Sequence, residues 1–458
     1  MSEKQCDVVV VGLGPGGEAL ASRLAKAGLD VVAVEAELVG GECPYWGCIP
    51  SKMFIRAANA LAEARRIDGL AGQAEVTPDF APVARRIREE ATDDWDDTVA
   101  ADRLADAGIR LVRGHGRLAG QRTVEVATAD GVERIVASRG VVLNTGTTAA
   151  VPPIDGLADT PFWTNREALK ATAVPTSLVV IGGGAIGLEL AQAFARFGSD
   201  VVVLEAGPRI LGPEEPETSE LIADVLTSEG MDVRAGVTID GVAHDGDRFH
   251  VTCGDVTFES EELLLAAGRK SRIDDVGLDS VGIDGTGRFL EVDDDQRVAD
   301  GLWAIGDIVG RGAFTHVAMY QSERAARSIL GETQEPYDTS IPRVTFTDPE
   351  VGGVGLTEQQ ARDQGISVEV TTSSVASSSR GFVHGPGHEG LIKLVIDTDR
   401  DVLVGATSVG PTGGETLAGL AVAVRAEVPI STLRNSIYAY PTYWRAVEST
   451  LPAVPTPS

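Results

Sequence analysis

A G-x-G-x-x-G pattern occurs twice in this chain of 458 residues, each time between an apolar strand and a helix-forming segment. The first copy, Gly12–Gly17, follows the strand Cys6–Val11 and precedes a predicted helix and a second strand that Glu35 closes. Glycines at this spacing allow a tight turn close to a pyrophosphate, and an acid about 20 residues further on can bind a ribose hydroxyl. The arrangement therefore predicts a dinucleotide-binding βαβ unit. Its predicted binding residues are Gly12, Gly14, Gly17 and Glu35.

The second copy of the pattern has the same design. It follows the apolar strand Ser177–Ile181, and the next predicted strand ends at Glu205. Two such units predict two dinucleotides, a bound flavin and a diffusible nicotinamide. A carboxylate at the ribose would repel the 2′-phosphate of NADP(H), so Glu205 favours NAD(H). Arg209 lies near enough in sequence to keep NADPH as the alternative. The predicted binding residues of this unit are Gly182, Gly184, Gly187 and Glu205.

Two cysteines, Cys43 and Cys48, lie in the glycine- and proline-rich segment Gly40–Lys52. On a regular helix, positions i and i+5 are roughly 8–9 Å apart at Cα, whereas a disulfide needs about 4.4–6.8 Å. A bridge therefore requires a broken turn, which Pro44 and Gly47 permit. Cys48 would then lie near the N-terminus of a helix predicted over 53–64, where the helix dipole stabilises a thiolate. The alternative is two unrelated buried cysteines.

Composition limits the classes of partner and compartment. The length suffices for two or three domains, and the chain lacks an apolar run of about 18 residues that would predict a membrane span. A core strand begins within six residues of Met1, so we expect no signal peptide and a cytoplasmic protein. Four cysteines, only two of them close together, do not form a secreted disulfide framework. The net charge of −29 and a pI near 4.5 argue against nucleic acids and anionic membranes as partners, and no metal site is predicted.

The cysteine segment resembles the redox motif of the flavoprotein disulfide reductases, which usually reads Gly-Gly-Thr-Cys-x-x-x-Gly-Cys-Ile-Pro-(Ser/Thr)-Lys. These class I pyridine nucleotide-disulfide oxidoreductases include dihydrolipoamide dehydrogenase, glutathione reductase and mercuric reductase. The resemblance extends over nearly the whole chain. It implies a homodimeric FAD enzyme in which Cys48 is the flavin-proximal thiol and Cys43 is the interchange thiol.

Other segments resemble further motifs of the same family. They are the Thr-Gly turn that ends Gly140–Gly146, the Ala-Gly-Arg segment within Leu263–Lys270, the Gly-Asp pair within Leu302–Gly310, and the helix start Thr315–Ala318. The resemblance implies FAD contacts at Gly41, Thr145, Gly146, Gly268, Gly306, Asp307 and Ala318. It also implies an ion pair between Lys52 and Glu189 beside the flavin N5 and the nicotinamide, with an exposed helix carboxylate as the alternative for Glu189.

The fold class expected from these features is α/β, with two Rossmann-like dinucleotide-binding domains and a C-terminal α+β dimerisation domain. The FAD-binding domain is predicted in two parts, residues 1–150 and 271–340. The NAD(P)-binding domain is predicted between them, at 151–270, and the dimerisation domain at 341–458. The family's C-terminal tail completes the partner subunit's active site, so a homodimer with a shared site is expected.

The resemblance fails near the C-terminus. Disulfide-reducing members carry His-Pro-Thr-x-x-Glu, in which the His is the acid–base for the attacking thiol. Here Tyr440 replaces the His and Arg445 replaces the Glu, whereas Pro441 and Thr442 remain. Imidazole exchanges protons near pH 6.5, but a phenol with a pKa of about 10 is a poor base at pH 7, although it can donate a proton or a hydrogen bond or stabilise an anion. We therefore predict that Tyr440 acts as a donor and that ordinary dihydrolipoamide or glutathione disulfide turnover is slow.

Bulky aromatic residues surround the same positions. Two of them separate the cysteines and four lie near Tyr440. They are Tyr45, Trp46, Tyr438, Tyr440, Tyr443 and Trp444. They could form an aromatic wall over Cys43, and ordinary interface packing is the alternative.

The predicted function is electron transfer from NAD(P)H through FAD to the Cys43–Cys48 disulfide and on to a small-molecule disulfide or other electrophile. One alternative is direct flavin electron transfer to a quinone, a metal ion or oxygen. Another is a reaction like that of 2-ketopropyl coenzyme M reductase/carboxylase, a branch of the family that also lacks the His. A non-enzymatic role would leave two intact nucleotide-binding patterns and a redox motif unexplained.

Overall fold

The structure is a computed structural model that describes residues 3–452. In chain order the strands are β1 (Glu3–Val11), β2 (Val31–Glu35), β3 (Arg110–Arg113), β4 (His115–Leu118), β5 (Thr123–Thr128), β6 (Gly131–Leu143), β7 (Thr147–Ala149), β8 (Ser177–Ile181), β9 (Asp200–Glu205), β10 (Asp232–Ala235), β11 (Gly241–His244), β12 (Phe249–Cys253), β13 (Val256–Ser260), β14 (Glu262–Leu265), β15 (Arg269–Ser271), β16 (Arg297–Ala299), β17 (Leu302–Ala304), β18 (Arg343–Thr345), β19 (Glu350–Gly355), β20 (Val368–Ser374), β21 (Leu391–Asp397) and β22 (Val402–Gly410).

The α-helices are α1 (Pro15–Lys26), α2 (Glu42–Trp46), α3 (Cys48–Arg65), α4 (Ala81–Arg86), α5 (Thr98–Asp106), α6 (Asn165–Lys170), α7 (Ala185–Arg196), α8 (Pro216–Ser228), α9 (Thr315–Leu330), α10 (Glu358–Asp363), α11 (Ser379–His384), α12 (Gly413–Arg425), α13 (Ile430–Asn435) and α14 (Trp444–Thr450). Within residues 3–452, none of these helices combines the length and the apolar character needed to cross a membrane.

The chain divides into two compact units. The first contains the described residues up to Ser51 together with 85–150 and 269–337. Its central sheet has the order β16-β17-β6-β1-β2-β3, and all of these pairings except β16–β17 are parallel. Residues 8–11 of β1 are at most 3% exposed. A strand buried on both faces is typical of a parallel sheet, which explains the unbroken run of valines.

Antiparallel strands extend the first unit beyond its parallel core. Strand β6 continues past β1 and pairs with β5, which pairs with β4. Strands β7 and β15 form a separate two-stranded antiparallel ribbon. This ribbon joins the segment after the predicted Thr-Gly turn to the segment at Arg269.

The second unit contains residues 52–84, 151–268 and those from 338 onward. It has a parallel sheet in the order β10-β9-β8-β14 and an antiparallel sheet in the order β11-β12-β13. Strand β8, helix α7 and strand β9 form the second βαβ arrangement. Strands β8 and β14 bury Val179, Ile181, Leu263 and Leu265 in one hydrophobic cluster.

The same unit contains a five-stranded antiparallel sheet in the order β18-β19-β22-β21-β20. Helices α12 and α14 pack on this sheet around a cluster that includes Leu394, Ala406, Leu420 and Val447. Two parallel βαβ sheets followed by an antiparallel α+β part confirm the predicted α/β fold class.

Two helix predictions were wrong in detail. The residue pattern over 82–105 predicts one continuous helix, but in the structure a π-helical turn at Ile87–Ala91 and a tight turn at Asp93–Trp95 separate α4 from α5. Aspartate side chains bind nearby backbone groups and so favour turns over helix interiors, and Asp96 accepts a hydrogen bond from the Thr98 amide at 2.6 Å. Helix α3 begins at Cys48, five residues earlier than predicted. Pro50 is tolerated there because first-turn N–H groups have no intrahelical partner.

Candidate functional site

The predicted site residues are distributed over both units. The first unit contains Gly12, Gly14, Gly17, Glu35, Gly41, Cys43, Cys48, Thr145, Gly146, Gly306, Asp307 and Ala318, and the second contains Lys52, Gly182, Gly184, Gly187, Glu189, Glu205, Gly268 and Tyr440. In the described part of the chain, His, Cys, Asp and Glu side chains form no group of three or more that could hold a metal ion.

The first glycine loop is closed by backbone contacts that exclude side chains. Gly12 has φ of +93°, and a Cβ there would lie 2.3 Å from the carbonyl oxygen of Asn144. A Cβ on Gly17 would lie 2.1 Å from the carbonyl oxygen of Gly12. Gly14 is the N-cap of α1, and no side chain caps this helix. The first-turn N–H groups are therefore available to an anion such as a pyrophosphate.

Glu35 is held by the same loop. Its Oε2 accepts a hydrogen bond from the Leu13 amide at 2.6 Å, and its Oε1 accepts one from the Glu37 amide at 2.8 Å. Burial raises the pKa of Glu35, and the two amide hydrogen bonds oppose that rise. The carboxylate is thus fixed at the end of β2, beside the glycine loop.

Glu205 repeats this arrangement in the second unit. Its Oε2 accepts from the Gly183 amide and its Oε1 from the Gly207 amide, both at 2.6 Å. Gly183 and Leu13 occupy the same position in the two patterns, so the two loops have equivalent hydrogen bonds. The Arg209 guanidinium donates to two carbonyl oxygens of its own loop at 2.7 and 3.0 Å.

The helix is broken between the two cysteines. Helix α2 ends at Trp46, Gly47 has φ of −136° and ψ of −111°, and α3 begins at Cys48. Both cysteines are partly buried thiols, and their side chains are hydrogen-bonded to each other. The two thiols therefore lie close together across the predicted break, which excludes two unrelated buried cysteines.

Thr315, the first residue of α9, contacts both thiols. Its Oγ1 lies 3.3 Å from Cys48 Sγ, and its side chain also hydrogen-bonds Cys43. The hydrogen bond with Cys48 raises the pKa of the Cys43 thiol most, and burial raises it further. Sequence reasoning placed the start of this helix near the flavin but missed the contact, because the two residues are 267 positions apart.

The redox segment lies directly against the first glycine loop. Gly41 has φ of +65°, and a Cβ there would lie 2.7 Å from the Cα of Gly14. A Cβ on Gly16 would lie 3.0 Å from the carbonyl oxygen of Ala318. Only small residues allow these approaches, which bring the cysteine segment and α9 together at the start of α1.

Asp307 belongs to a chain of hydrogen bonds in the first unit. The Thr147 hydroxyl donates to Asp307 Oδ2 at 2.7 Å, and Arg269 Nε donates to the Thr147 hydroxyl oxygen at 2.6 Å. The Thr145 hydroxyl donates to the carbonyl oxygen of Arg272 at 2.7 Å. These bonds fix the predicted Thr145–Gly146 turn and the Gly306–Asp307 pair in one unit.

Lys52 and Glu189 form the expected ion pair in the second unit. Lys52 Nζ lies 2.8 Å from Glu189 Oε2, and Glu189 Oε1 accepts a hydrogen bond from the Phe346 amide at 2.8 Å. Lys52 Nζ also lies 4.5 Å from the centroid of the Phe346 ring. Glu189 is only 6% exposed, so the alternative of an exposed helix carboxylate was wrong.

Two further residues of α7 hold the segment that begins at Phe346. Gln192 donates to the Asp348 carbonyl oxygen at 2.9 Å and accepts from the Asp348 amide at 2.8 Å. Arg196 Nη2 donates to Asp348 Oδ2 at 2.8 Å. The spacing of Glu189, Gln192 and Arg196 places them on one helix face, but no motif pointed to their common partner.

Tyr440 is 70% exposed, and its hydroxyl donates to Ser379 Oγ at 3.1 Å. Arg445, which stands where the family has its Glu, forms an ion pair with Glu448 within α14. The segment that corresponds to the family's His-Glu pair therefore contains no ion pair or hydrogen bond between Tyr440 and Arg445 among the described contacts.

Most of the other aromatic residues have packing partners within their own unit. Trp46 stacks on Trp95 with ring centroids 5.6 Å apart, and Tyr438 stacks on Trp444 at the same separation. Tyr443 is 9% exposed in the core under the antiparallel sheet. These contacts support ordinary packing for these residues, and Tyr440 is the exposed exception.

Comparison with known proteins identifies the family. Residues 6–322 match the family described as pyridine nucleotide-disulphide oxidoreductase, and residues 341–450 match its dimerisation domain. A dihydrolipoyl dehydrogenase from Chlorobaculum tepidum is 34% identical over 446 residues, which cover 96% of this chain and 94% of that protein. A mercuric reductase from Acidithiobacillus ferrooxidans is 32% identical over 447 residues, which cover 96% of this chain and 81% of that protein.

A solved structure agrees with these relatives. The HOCl-induced flavoprotein disulfide reductase RclA from Escherichia coli aligns with a TM-score of 0.85 at 27% identity, over 97% of this chain and 99% of that chain. The chain therefore belongs to the pyridine nucleotide-disulphide oxidoreductase family, whose members bind FAD and a pyridine nucleotide, and is a flavin-dependent oxidoreductase.

Proposed function

We propose that this protein passes electrons from NAD(P)H, through FAD, to the Cys43–Cys48 pair and from there to a disulfide or another electrophilic small molecule. The observation that carries the proposal is the hydrogen-bonded pair of thiols at the break before α3. The segment that carries them is packed directly on the first glycine loop through Gly41. A redox pair and a dinucleotide-binding turn thus share one structural element.

The first unit fits FAD. The close approaches at Gly12 and Gly17 and the uncapped start of α1 form a cradle that a Cβ would fill, and Glu35 stands at the ribose position. When bound, FAD supplies the two-electron relay between the nicotinamide and the cysteines. The residues of this unit proposed to hold it are Gly12, Gly14, Gly17, Glu35, Gly41, Thr145, Gly146, Gly306, Asp307 and Ala318.

The second glycine loop fits NAD(H) better than NADP(H). Both Glu205 oxygens accept loop amides, which fixes a negative charge where the ribose would bind. Arg209, the residue that could have neutralised a 2′-phosphate, donates to carbonyl oxygens of its own loop. The residues proposed to hold the nicotinamide nucleotide are Gly182, Gly184, Gly187 and Glu205, and we propose that the Lys52–Glu189 ion pair lies beside the nicotinamide.

The two thiols have different roles in reducing a substrate disulfide. The Cys43 thiol loses its proton as its sulfur attacks one sulfur of the substrate, forms a mixed disulfide and releases the first thiolate. Cys48 then attacks Cys43 in that mixed disulfide, releases the second thiolate and reforms the Cys43–Cys48 bond. The two released thiolates take up the two protons that Cys43 and Cys48 lose, and the Tyr440 hydroxyl is the proposed donor of one of them, regaining its own proton from those that the cysteines release.

The dimerisation domain supports a homodimer, and we propose that each C-terminal segment, with Tyr440, completes the partner's site. The proposed domain division assigns 1–150 and 271–340 to FAD, 151–270 to NAD(P) and 341–458 to the dimer. We further propose a cytoplasmic location, where a reducing environment keeps such a cysteine pair available for turnover.

A Cys43→Ser, Cys48→Ser double variant tests the path. We expect NADH to bleach its flavin as in the wild type, while steady-state reduction of substrate disulfides falls by roughly 10³-fold or more, as for loss of a covalent nucleophile. Full activity of the double variant would instead support direct electron transfer from the flavin. A reaction that needs bicarbonate would support the carboxylase-like alternative.

A soft metal ion is a second candidate acceptor. The relative from Acidithiobacillus ferrooxidans is a mercuric reductase, and RclA has also been solved as a Cu(II) complex, with a TM-score of 0.86 to this chain. Thiolates select soft ions, and bound ions need no protonation by a His-Glu pair, which this chain lacks at Tyr440 and Arg445. NADH oxidation that depends on Hg(II) or Cu(II) and on both cysteines would support this acceptor.

A further inference from the structure

Three consecutive residues with side chains adopt left-handed backbone in the first unit. Asp93, Asp94 and Trp95 have φ values of 49°, 56° and 59°, and the Asp96 amide closes the turn by donating to the Asp93 carbonyl oxygen at 3.0 Å. Such backbone is sterically unfavourable for any residue with a Cβ, and it persists only where surrounding contacts enforce it. Aspartate tolerates this conformation, but a tryptophan in the third position has no such local preference.

The contacts of Trp95 explain the enforced turn. Its indole ring stacks on Trp46, with centroids 5.6 Å apart and planes at 17°. Its Nε1–H donates to the carbonyl oxygen of Tyr45 at 3.3 Å. Tyr45 and Trp46 are the last residues of α2, where carbonyl groups lose their intrahelical partners because the helix breaks at Gly47. Trp95 thus holds the C-terminal end of the helix that carries Cys43.

Asp97 holds the other end of the same segment. Its Oδ2 accepts a hydrogen bond from the Val39 amide at 2.6 Å. Both carboxylate oxygens bind the Arg113 guanidinium, at 2.6 and 2.8 Å. Although partial burial acts in the opposite direction, Arg113 and the Val39 amide lower the pKa of Asp97, so the carboxylate is charged at neutral pH.

These contacts lie two residues apart on one segment and fasten the cysteine segment on both sides of Cys43, at Val39 and at Tyr45–Trp46. We propose that Trp95 and Asp97, in the segment here called the 93–97 clamp, are positioning residues that hold Cys43 where it can form a disulfide with Cys48. None of them touches either sulfur in the contacts described, so the clamp acts through the position of α2. The inference rests on the proposed redox role of the two cysteines.

The clamp has a measurable consequence for the thiol–disulfide equilibrium. Oxidation of the two thiols by glutathione disulfide forms one protein S–S bond and releases two glutathione molecules, so atoms and electrons balance. Freeing α2 lowers the effective concentration of one thiol at the other. The equilibrium constant for forming the Cys43–Cys48 bond therefore falls when the clamp is removed.

The experiment equilibrates the FAD-loaded protein anaerobically in glutathione redox buffers and quantifies alkylation of the peptides that carry Cys43 and Cys48. For Trp95→Ala we expect the equilibrium constant to fall about tenfold, which for two electrons is about 30 mV. Trp95→Phe keeps an aromatic ring on Trp46 but loses the N–H donor, so we expect a smaller shift in the same direction. Asp97→Asn, which weakens the second attachment, should shift it likewise.

Two controls separate the clamp from general loss of stability. Trp163→Ala removes a partly buried tryptophan that packs 6.1 Å from Phe194 in the second unit, and it should leave the equilibrium constant unchanged. Asp94→Gly keeps both attachments and fits φ of 56° without strain, so it should also leave the constant unchanged.

The outcomes distinguish this inference from the proposed function. If the wild-type protein forms the disulfide and Trp95→Ala leaves its equilibrium constant unchanged, the proposed positioning role of the 93–97 clamp is wrong. If Trp95→Ala does not fold, wild-type values in both Trp95→Phe and Asp97→Asn overturn it in the same way. A wild-type protein that never forms the Cys43–Cys48 bond overturns the proposed function instead.

Discussion

Lys52 and Glu189 are joined by a 2.8 Å ion pair, although they are 137 positions apart in the sequence. The Glu189 carboxylate is 6% exposed and the Lys52 side chain is 35% exposed, so the pair lies partly beneath the surface. Removal of Lys52 would leave a buried carboxylate with the Phe346 amide as its remaining described partner.

For Lys52→Met we therefore expect a loss of about 2 kcal/mol in the free energy of unfolding and flavin reduction by NADH slowed by roughly 10²-fold. Chemical denaturation and stopped-flow absorbance measure the two effects. Lys270→Met is the matched control, because Lys270 forms an exposed ion pair with Asp274 that solvent screens and that should contribute little to stability. Wild-type flavin reduction in Lys52→Met would contradict a role for this pair at the flavin.

We expect the Glu205 carboxylate to set the preference between NADH and NADPH. We expect the wild type to use NADH with a higher kcat/KM than NADPH. Glu205→Gln retains the shape and one acceptor oxygen but removes the charge. The ratio of kcat/KM for NADH to kcat/KM for NADPH should therefore fall by roughly tenfold, about 1.4 kcal/mol. Steady-state kinetics with both nucleotides measure it, and Glu220→Gln on the exposed face of α8 is the control. An unchanged ratio would remove Glu205 from the specificity argument.

In the reduced protein, the Cys43 thiol should lose its proton at a higher pH than an ordinary cysteine. Because the hydrogen bond with Cys48 and then burial raise the pKa of Cys43 above the ordinary value of about 8.5, its thiol stays protonated at neutral pH. The stability that this protonated thiol contributes is present below about pH 8.5 and is lost as the pH rises further. We expect alkylation of Cys43 by iodoacetamide in the reduced protein to be slow at pH 7 and to increase beyond pH 9.

Cys48→Ala tests the cause of that shift. It removes the hydrogen bond that contributes most to the raised pKa, so alkylation of Cys43 should begin at a lower pH than in the wild type. Cys6→Ala serves as the control, since Cys6 is hydrogen-bonded within the central sheet. Identical pH profiles for wild type and Cys48→Ala would show that the two thiols do not interact.

Restoring the family's acid–base pair should restore ordinary disulfide turnover. We expect the Tyr440→His, Arg445→Glu double variant to reduce dihydrolipoamide-type or glutathione disulfides at least tenfold faster, as for gain of a general acid–base, with a pH dependence near 6.5. The substitution at 445 also removes the ion pair with Glu448, so Arg445→Glu alone is the control. No gain in any disulfide assay would point to a substrate that does not need this pair.

The sequence predicted the features that depend on local patterns. Glycine loops and their closing acids follow from spacing alone, which is why Glu35 and Glu205 occupy equivalent positions. The break between Cys43 and Cys48 followed from the geometry of a helix and of a disulfide. The Lys52–Glu189 pair required the family resemblance, because an acidic residue on a helix has no intrinsic partner.

Contacts between distant segments could not be predicted in this way. Thr315 reaches Cys48 because α9 packs on α1 through Gly16, and no local signal encodes that approach. Trp95 reaches Trp46 through a left-handed turn where the residue pattern predicted a continuous helix. In both cases tertiary contacts override local propensity, and the residues concerned lie beside the redox pair.

An anaerobic titration of the FAD-loaded protein with NADH, followed by absorbance, tests the central claim most directly. If Cys43 and Cys48 accept electrons from the flavin, the protein takes up two electron pairs per flavin, and a long-wavelength thiolate-to-flavin band appears after the first. If the flavin bleaches after one electron pair without that band, the cysteines are not part of the electron path and the proposed function is wrong.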